Sequence, residues 1–114
     1  MNLELHPQKA LAPRIIYVAI KDDLIIGFIA GHLTERFECD GELEWINVIT
    51  KERGKGVAPS LILVLAEWFR KQNAFKICVD PGDETARKFY AKNGAEKLNE
   101  HWMFWNDISI LLKD

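Results

Sequence analysis

A basic turn at residues 53–58, with the sequence RGKGVA, carries the clearest chemical signal in this chain. A candidate strand, Leu43 to Ile49, precedes it, and a candidate helix, Pro59 to Arg70, follows it. The first amides of a helix have no partner inside the helix and point outward with the positive end of its dipole, while glycine allows a close backbone approach. The turn therefore predicts a phosphate site, to which Arg53 and Lys55 add charge. Alternatively, these two side chains are solvated turn charges.

Two well-known nucleotide loops do not fit this turn. The P-loop requires Ser or Thr directly after Gly-Lys, but Gly56 follows Lys55 here. The dinucleotide fingerprint requires a third glycine, and position 59 is Pro. A third pattern, [RQ]-x-x-G-x-[GA], is satisfied by Arg53, Gly56 and Ala58.

A second pattern begins at the start of another candidate helix, Glu84 to Lys92. It is similar to N-x-x-A-x-x-[FL]-Y-x-x-x-G-[FA], and its residues are Asp83, Ala86, Phe89, Tyr90 and Gly94. Together the two patterns resemble the GNAT superfamily of N-acetyltransferases, over Ile15 to Ile108. Asp83 departs from the usual Asn and cannot donate a hydrogen bond when ionised.

The resemblance implies a binding site for acetyl-CoA. In that family the third and fourth strands splay apart, the pantetheine arm lies in the gap, and the amide at Val48 would stabilise the charge that develops on the thioester oxygen. Loop amides would hold the pyrophosphate. The cofactor-binding residues that it implies are Ile46, Asn47, Val48, Arg53, Gly54, Lys55, Gly56, Val57, Ala58, Ser60, Asp83, Ala86, Phe89 and Tyr90.

Two proton transfers accompany such a reaction. The amine, with an ordinary pKa near ~10, must lose a proton before it attacks. Glu42 and Glu44 are candidate bases, directly or through water, because a strand period of two places Glu42, Glu44, Ile46 and Val48 on one face. Alternatively, both carboxylates lie on an exposed strand face. Tyr90 matches the family's general acid for the departing thiolate; alternatively, it is a core aromatic residue.

The remaining pattern predicts an α/β (α+β) fold with a mixed, mostly antiparallel sheet, in which a hairpin meander is followed by β-α-β-α-β. Gly27 and Gly31 predict a bulge or a close backbone approach in the second strand. Residues 1–114 are expected to form a single GNAT-like domain, with residues 1–14 as a short N-terminal arm. The predicted strands are Ile15–Ile20, Leu24–Leu33, Leu43–Ile49, Phe75–Val79 and the strand-like segment Trp102–Leu112.

Composition limits the other functional classes. The chain has 114 residues and a net charge of −2, so no strong basic field indicates nucleic acid. No apolar run approaches the roughly 18 residues of a membrane span, and a cytoplasmic location without membrane contact is expected. The three histidines lack metal-type spacing, so no metal is predicted. The apolar segment Trp102–Leu112 and the short N-terminal region predict a homodimer.

The predicted function is the transfer of an acetyl group from acetyl-CoA to a primary amine. Small amines, peptide N-termini and lysine side chains all remain open as acceptors. The alternative is a non-catalytic acyl-CoA-binding or regulatory module on the same fold, which the Asp83 substitution and the short N-terminal region would suit.

Overall fold

A computed structural model describes residue 3 and residues 12–113 of the chain. The predicted N-terminal arm lies largely outside the described residues. The regular elements are the strands β1 (Arg14–Lys21), β2 (Leu24–Leu33), β3 (Gly41–Val48), β4 (Ile77–Val79), β5 (Glu96–Lys97) and β6 (Met103–Trp105), the helices α1 (Val57–Lys71) and α2 (Glu84–Lys92), and the 3-10 turns Arg36–Glu38, Thr50–Glu52 and Ile108–Leu112.

The six strands form one sheet in the order β1-β2-β3-β4-β6-β5. Only β3 and β4 are parallel, because α1 connects them as a crossover. The other neighbouring pairs are antiparallel. The prediction of a mixed, mostly antiparallel sheet is therefore confirmed. The two-residue strand β5 was not predicted, because so short a segment carries no periodicity.

The core lies between the sheet and the two helices. Leu65 and Phe69 of α1 are fully buried, and Tyr90 of α2 belongs to the same cluster as Leu43 and Trp105 of the sheet. Both helices therefore pack on one face of the sheet. The opposite face carries large exposed apolar side chains, namely Ile16, Val18, Ile20 and Trp45.

A bulge in β3 changes which of its residues share a face. The β2–β3 register shifts between Ala30 and Gly31, so that Glu44 has no opposite residue in β2. Leu43 and Ile46 both pack in the helix-facing core, although they lie three residues apart. Glu42 therefore lies on the opposite face from Ile46. The prediction that both glutamates share a face with Ile46 and Val48 is wrong, because the bulge interrupts the period of two.

The C-terminal segment also differs from its prediction. It is strand only at β6, and its second half is the 3-10 turn Ile108–Leu112. The Asp107 side chain accepts a hydrogen bond from the Ser109 amide at 3.0 Å. This local bond favours a turn over a continued strand. Ile108 is fully buried, so the apolar character of the segment reflects the core of this domain.

Within the described residues, no helix is long and apolar enough to cross a membrane.

We expect Gly31→Ala to destabilise the fold by about 1–3 kcal/mol, the usual cost of overpacking a core. A Cβ at this position would lie 2.9 Å from Leu65 Cδ1 and 3.1 Å from the Glu42 carbonyl oxygen. The double variant Gly31→Ala with Leu65→Val should lose less free energy of unfolding than the two single variants together, because the shorter side chain at position 65 makes room for the new Cβ. Urea unfolding measures all three variants. A purely additive double variant would contradict this packing.

Candidate active site

A gap opens between β3 and β4 after their first three residue pairs. The two strands pair only from Gly41–Leu43 to Ile77–Val79. Within the described residues, β3 then continues to Val48 with a strand partner on the β2 side alone. The strands therefore diverge as the sequence resemblance implies.

The peptide groups of Val48 and Ile46 face this gap. The Ile49 amide donates to the Ile26 carbonyl of β2 at 2.8 Å. Since the peptide groups of successive residues point to opposite edges of a strand, those of Val48 and Ile46 point away from β2. By the same alternation, the peptide groups of Asn47 point towards β2, so its backbone does not face the gap.

Arg53 fixes the end of β3 to the loop that follows. Its Nε donates to the Val48 carbonyl at 2.9 Å. That bond occupies the carbonyl and leaves the Val48 amide as the group available to a ligand. The two terminal nitrogens of the guanidinium remain for other acceptors.

The loop itself forms an open cradle at the start of α1. Gly56 is the N-cap residue with φ 84°, and Gly54 has φ 76°. A Cβ at either glycine would meet no atom within 4 Å, so the space above the loop is free. No side chain caps the helix. The first amides, at Val57 and Ala58, therefore point outward without an intrahelical partner.

Pro59 and Ser60 follow in the first turn. Pro59 contributes no amide. The Ser60 amide already donates to the Gly56 carbonyl at 3.2 Å. Only the Ser60 hydroxyl is then left for a ligand. Two amide donors at the helix start, together with the nearby basic side chains, suit a doubly charged anion.

Glu52 holds two lysines beside the cradle. Its side chain accepts from Lys21 Nζ at 2.7 Å and from Lys55 Nζ at 3.4 Å. The hydrogen bond from Lys21, above all, lowers the pKa of the Glu52 carboxyl below its ordinary value. Lys55 therefore lies at the loop as predicted, with a carboxylate partner that the sequence did not reveal.

The second motif starts α2 beside the C-terminal end of β4. The Asp83 carboxylate accepts from the Ala86 amide at 2.7 Å as the N-cap of this helix. Asp83 thus caps the helix as an acceptor and does not need the donor of the usual Asn. A cleft of about 450 Å³ opens here, lined by Asp80, Gly82, Asp83, Glu84, Arg87 and His101.

Tyr90 lies in the core with its ring edge-on to Phe89 and Trp105, at centroid distances of 5.3 and 6.0 Å. Burial, with smaller contributions from Asp80 and Asp83, raises the pKa of its phenol to about 12. The phenol therefore keeps its proton at neutral pH, as a general acid must. Its packing shows that the ring is a core residue, and the acid role stays a prediction.

Glu42 is the more unusual of the two candidate bases. It is only 9% exposed, and its Oε1 has no hydrogen-bond partner in the described part of the chain. Arg36 Nε lies 3.4 Å from this oxygen and His32 Nε2 lies 3.8 Å from it. Burial nevertheless raises the pKa of the Glu42 carboxyl. Glu44, by contrast, is the partly exposed bulge residue.

The candidate acid and the candidate base Glu42 lie on opposite faces of the sheet, because Tyr90 belongs to the helix-side core. Burial is the main cause of the raised pKa of both groups, and the charge of Asp80, directly after β4, adds to each. Sequence reasoning missed His32 and Arg36, which follow no motif. The pairing of β2 with β3 sets His32 opposite Glu42, whereas Arg36 comes from the 3-10 turn between these strands.

Replacing the two buried glutamates should change stability in opposite directions at neutral pH. The raised pKa of Glu42 means that its ionised form opposes folding, so Glu42→Gln should stabilise the protein. The lowered pKa of Glu52 means that its ionised form supports folding, so Glu52→Gln should destabilise it.

The Glu42 difference should shrink as the pH falls from its raised pKa to the ordinary pKa of a glutamate, whereas the Glu52 difference should shrink only as the pH falls from that ordinary value to its lowered pKa. Urea unfolding of the wild type and both variants, at neutral pH and at about pH 4, provides the measurement. Changes of the same sign at neutral pH would contradict the assigned environments.

Comparison with known proteins gives the family. The model of the acetyltransferase (GNAT) family matches residues 2–95. No curated protein matches the sequence at a significant level.

Solved structures with the same fold include a protein assigned to the GNAT family from Desulfovibrio desulfuricans, with 16% identity and a TM-score of 0.73 over 83% of this chain and 69% of that one. A PaiA N-acetyltransferase from Thermoplasma acidophilum in complex with coenzyme A has 17% identity and a TM-score of 0.67, over 82% and 60% of the two chains. An aminoglycoside 6'-N-acetyltransferase complexed with coenzyme A has 17% identity and a TM-score of 0.69, over 83% of this chain and 73% of that one.

At these identities the solved structures show a shared fold alone. The family model covers most of the sequence, and the chain therefore belongs to the GNAT acetyltransferase family.

Proposed function

We propose that this protein transfers an acetyl group from acetyl-CoA to a primary amine by direct attack. The observation that carries the proposal is the free edge of β3 at Ile46 and Val48, which leads into the uncapped start of α1. A pantetheine arm is a chain of amides that can pair with such an edge. The coenzyme A bound in two structures of similar fold supports this choice of ligand.

The residues around the gap fit such a ligand. The cradle at residues 53–58 is open above both glycines and offers amides and cations to a pyrophosphate. Ala86 and Phe89 of α2 would flank the pantetheine arm. Since Asn47 turns its peptide groups towards β2, its contribution to the ligand would be limited to the side chain.

The chemistry divides among three groups of the protein. Acetyl-CoA supplies the acetyl thioester. The Val48 amide would donate to the carbonyl oxygen and stabilise the negative charge that develops there. Glu44 or Glu42 would accept the proton of the attacking amine, directly or through water, while the C–N bond forms. Tyr90 would give its proton to the sulfur as the C–S bond breaks, so that the products are an acetamide and the free thiol of coenzyme A.

Two carboxylates are candidates for the base. Burial raises the pKa of the Glu42 carboxyl towards that of an amine, although Arg36 and His32 lie 3.4 and 3.8 Å from its Oε1. Glu44 lies in the neighbouring bulge, nearer to Val48 along β3, and is the alternative, with water as the intermediary.

The homodimer stays a prediction, but a different surface of the protein now supports it. The apolar C-terminal segment no longer supports it, because Met103, Trp105 and Ile108 are buried in this domain. Exposed apolar side chains on the face opposite α1 and α2, such as Ile16 and Trp45, support it instead.

Acetyl-CoA binding should be lost in Gly56→Asp. The positive φ strains any residue with a side chain, and the new carboxylate would repel the pyrophosphate. Gly56→Ala, which adds the strain without the charge, is the matched control and should retain weakened binding. Isothermal titration calorimetry gives the affinities, and thermal unfolding checks that both variants fold. Equal affinity in the wild type and Gly56→Asp would remove the proposed cofactor site.

Tyr90→Phe should lower kcat by about 10²–10⁴-fold, the usual contribution of a general acid, because the ring is kept and only the proton is lost. Acetyl-CoA affinity should change little. The assay follows release of the coenzyme A thiol with a panel of small amines, peptides with free N-termini and lysine-containing peptides.

A fall in kcat of less than about tenfold would mean that solvent protonates the thiolate and would contradict the acid role. Acetyl-CoA binding by the wild type, without thiol release for any amine, would favour the non-catalytic acyl-CoA-binding module.

A further inference from the structure

We infer that Lys21, at the end of β1, is a further phosphate-binding residue of the cofactor site. The inference rests on the proposed binding of acetyl-CoA, and it assigns Lys21 to the pyrophosphate. Neither sequence motif includes this residue. Its Nζ contacts the carboxylate of Glu52, which directly precedes the loop at residues 53–58.

Strand order places Lys21 beside the cradle. In antiparallel neighbours, the end of one strand lies next to the start of the following one. Lys21 pairs with Leu24 at the start of β2, and Ile26 of β2 accepts a hydrogen bond from Ile49 at the end of β3. The β1–β2 turn and the loop after β3 therefore lie at the same end of the strands.

A buried carboxylate fixes the position of Lys21. Glu52 is only 4% exposed, yet it accepts from Lys21 at 2.7 Å and from Lys55 at 3.4 Å. A buried carboxylate is costly without partners, and here it has two. Because both lysines contact one side chain, their ammonium groups are confined to a small region beside the loop.

The cluster of Lys21, Lys55 and Glu52 has a net positive charge that can attract an anion. One carboxylate faces two ammonium groups, so the three side chains carry a net charge of +1. The side chains of Lys21 and Lys55 are 52% and 55% exposed, so their remaining donors can reach a ligand. An ammonium has three donors, and the bond to Glu52 uses one of them.

Two ammonium groups on one carboxylate match a ligand with two adjacent negative charges. The pyrophosphate is that part of coenzyme A, and the amides of Val57 and Ala58 lie at the same loop. Asp22 and Asp23 follow Lys21 in the turn, and within the described residues neither forms an ion pair with Lys21 or Lys55.

The test compares three ligands: coenzyme A, dephospho-coenzyme A, which keeps the pyrophosphate and lacks the 3′-phosphate, and pantetheine, which has no phosphate. The variants are Lys21→Gln, Lys21→Arg and Lys51→Gln. Lys51 is the matched control, because it is an exposed lysine in the same turn as Glu52. Affinities come from calorimetry or from amide chemical-shift titration, and thermal unfolding confirms folding.

We expect Lys21→Gln to weaken both phosphate-bearing ligands by about tenfold, as for the loss of one hydrogen bond between charged groups. Pantetheine affinity should not change. Lys21→Arg should restore most of the affinity, and Lys51→Gln should behave as the wild type.

Three results would overturn the inference. An equal loss for pantetheine would make Lys21 a structural residue. A loss for coenzyme A alone would assign it to the 3′-phosphate. Unchanged affinities would remove it from the site. A wild type that binds none of the three ligands would instead overturn the proposed function, and this inference with it.

Discussion

The divergence of β3 from β4 is the feature on which the rest of the site depends. For three residues β3 is paired on both sides, and afterwards it keeps only its β2 neighbour. The bulge at Glu44 lies where this change occurs. From there the peptide groups of Ile46 and Val48 face an open gap, and the strand ends at the loop that starts α1. A backbone edge and a helix start are thus joined in one continuous stretch of chain.

Two buried glutamates on either side of this edge have opposite environments. Glu42 precedes the divergence and has an oxygen without a hydrogen-bond partner in the described residues, so burial raises its pKa. Glu52 follows β3 and binds two lysines, so its pKa is lowered. A buried carboxylate with a raised pKa is suited to accept a proton, whereas one that is hydrogen-bonded to two lysines is suited to hold cations in place. Sequence distance alone would not separate these roles.

Local patterns predicted much of the fold. The bounds of β2 and α2 match the sequence prediction, because hydrophobic runs, turn residues and the Asp83 cap all act within a few residues. The parallel pairing of β3 and β4 followed from the crossover helix. The bulge at Glu44 did not follow, because a register shift depends on the partner strand. The 3-10 turn Ile108–Leu112 follows Asp107, whose side chain accepts hydrogen bonds from the Ser109 amide and hydroxyl.

The candidate site was predicted as far as its motifs extend. Arg53, Gly56 and Tyr90 stand in patterns with fixed spacing. His32 and Arg36 beside Glu42, and Lys21 beside Glu52, come from other parts of the chain and are brought in by strand pairing. Such neighbours contribute, together with burial, to the pKa of a carboxyl group, and a linear motif does not contain them.

The Val48 amide provides the most direct measurement of the central claim. Ile49 is an internal control, because its amide is already bonded to Ile26. Amide hydrogen exchange with and without acetyl-CoA should show protection gained at Val48 and no change at Ile49. Val48 exchange that stays unchanged while acetyl-CoA is bound would mean that the free edge of β3 does not receive the ligand.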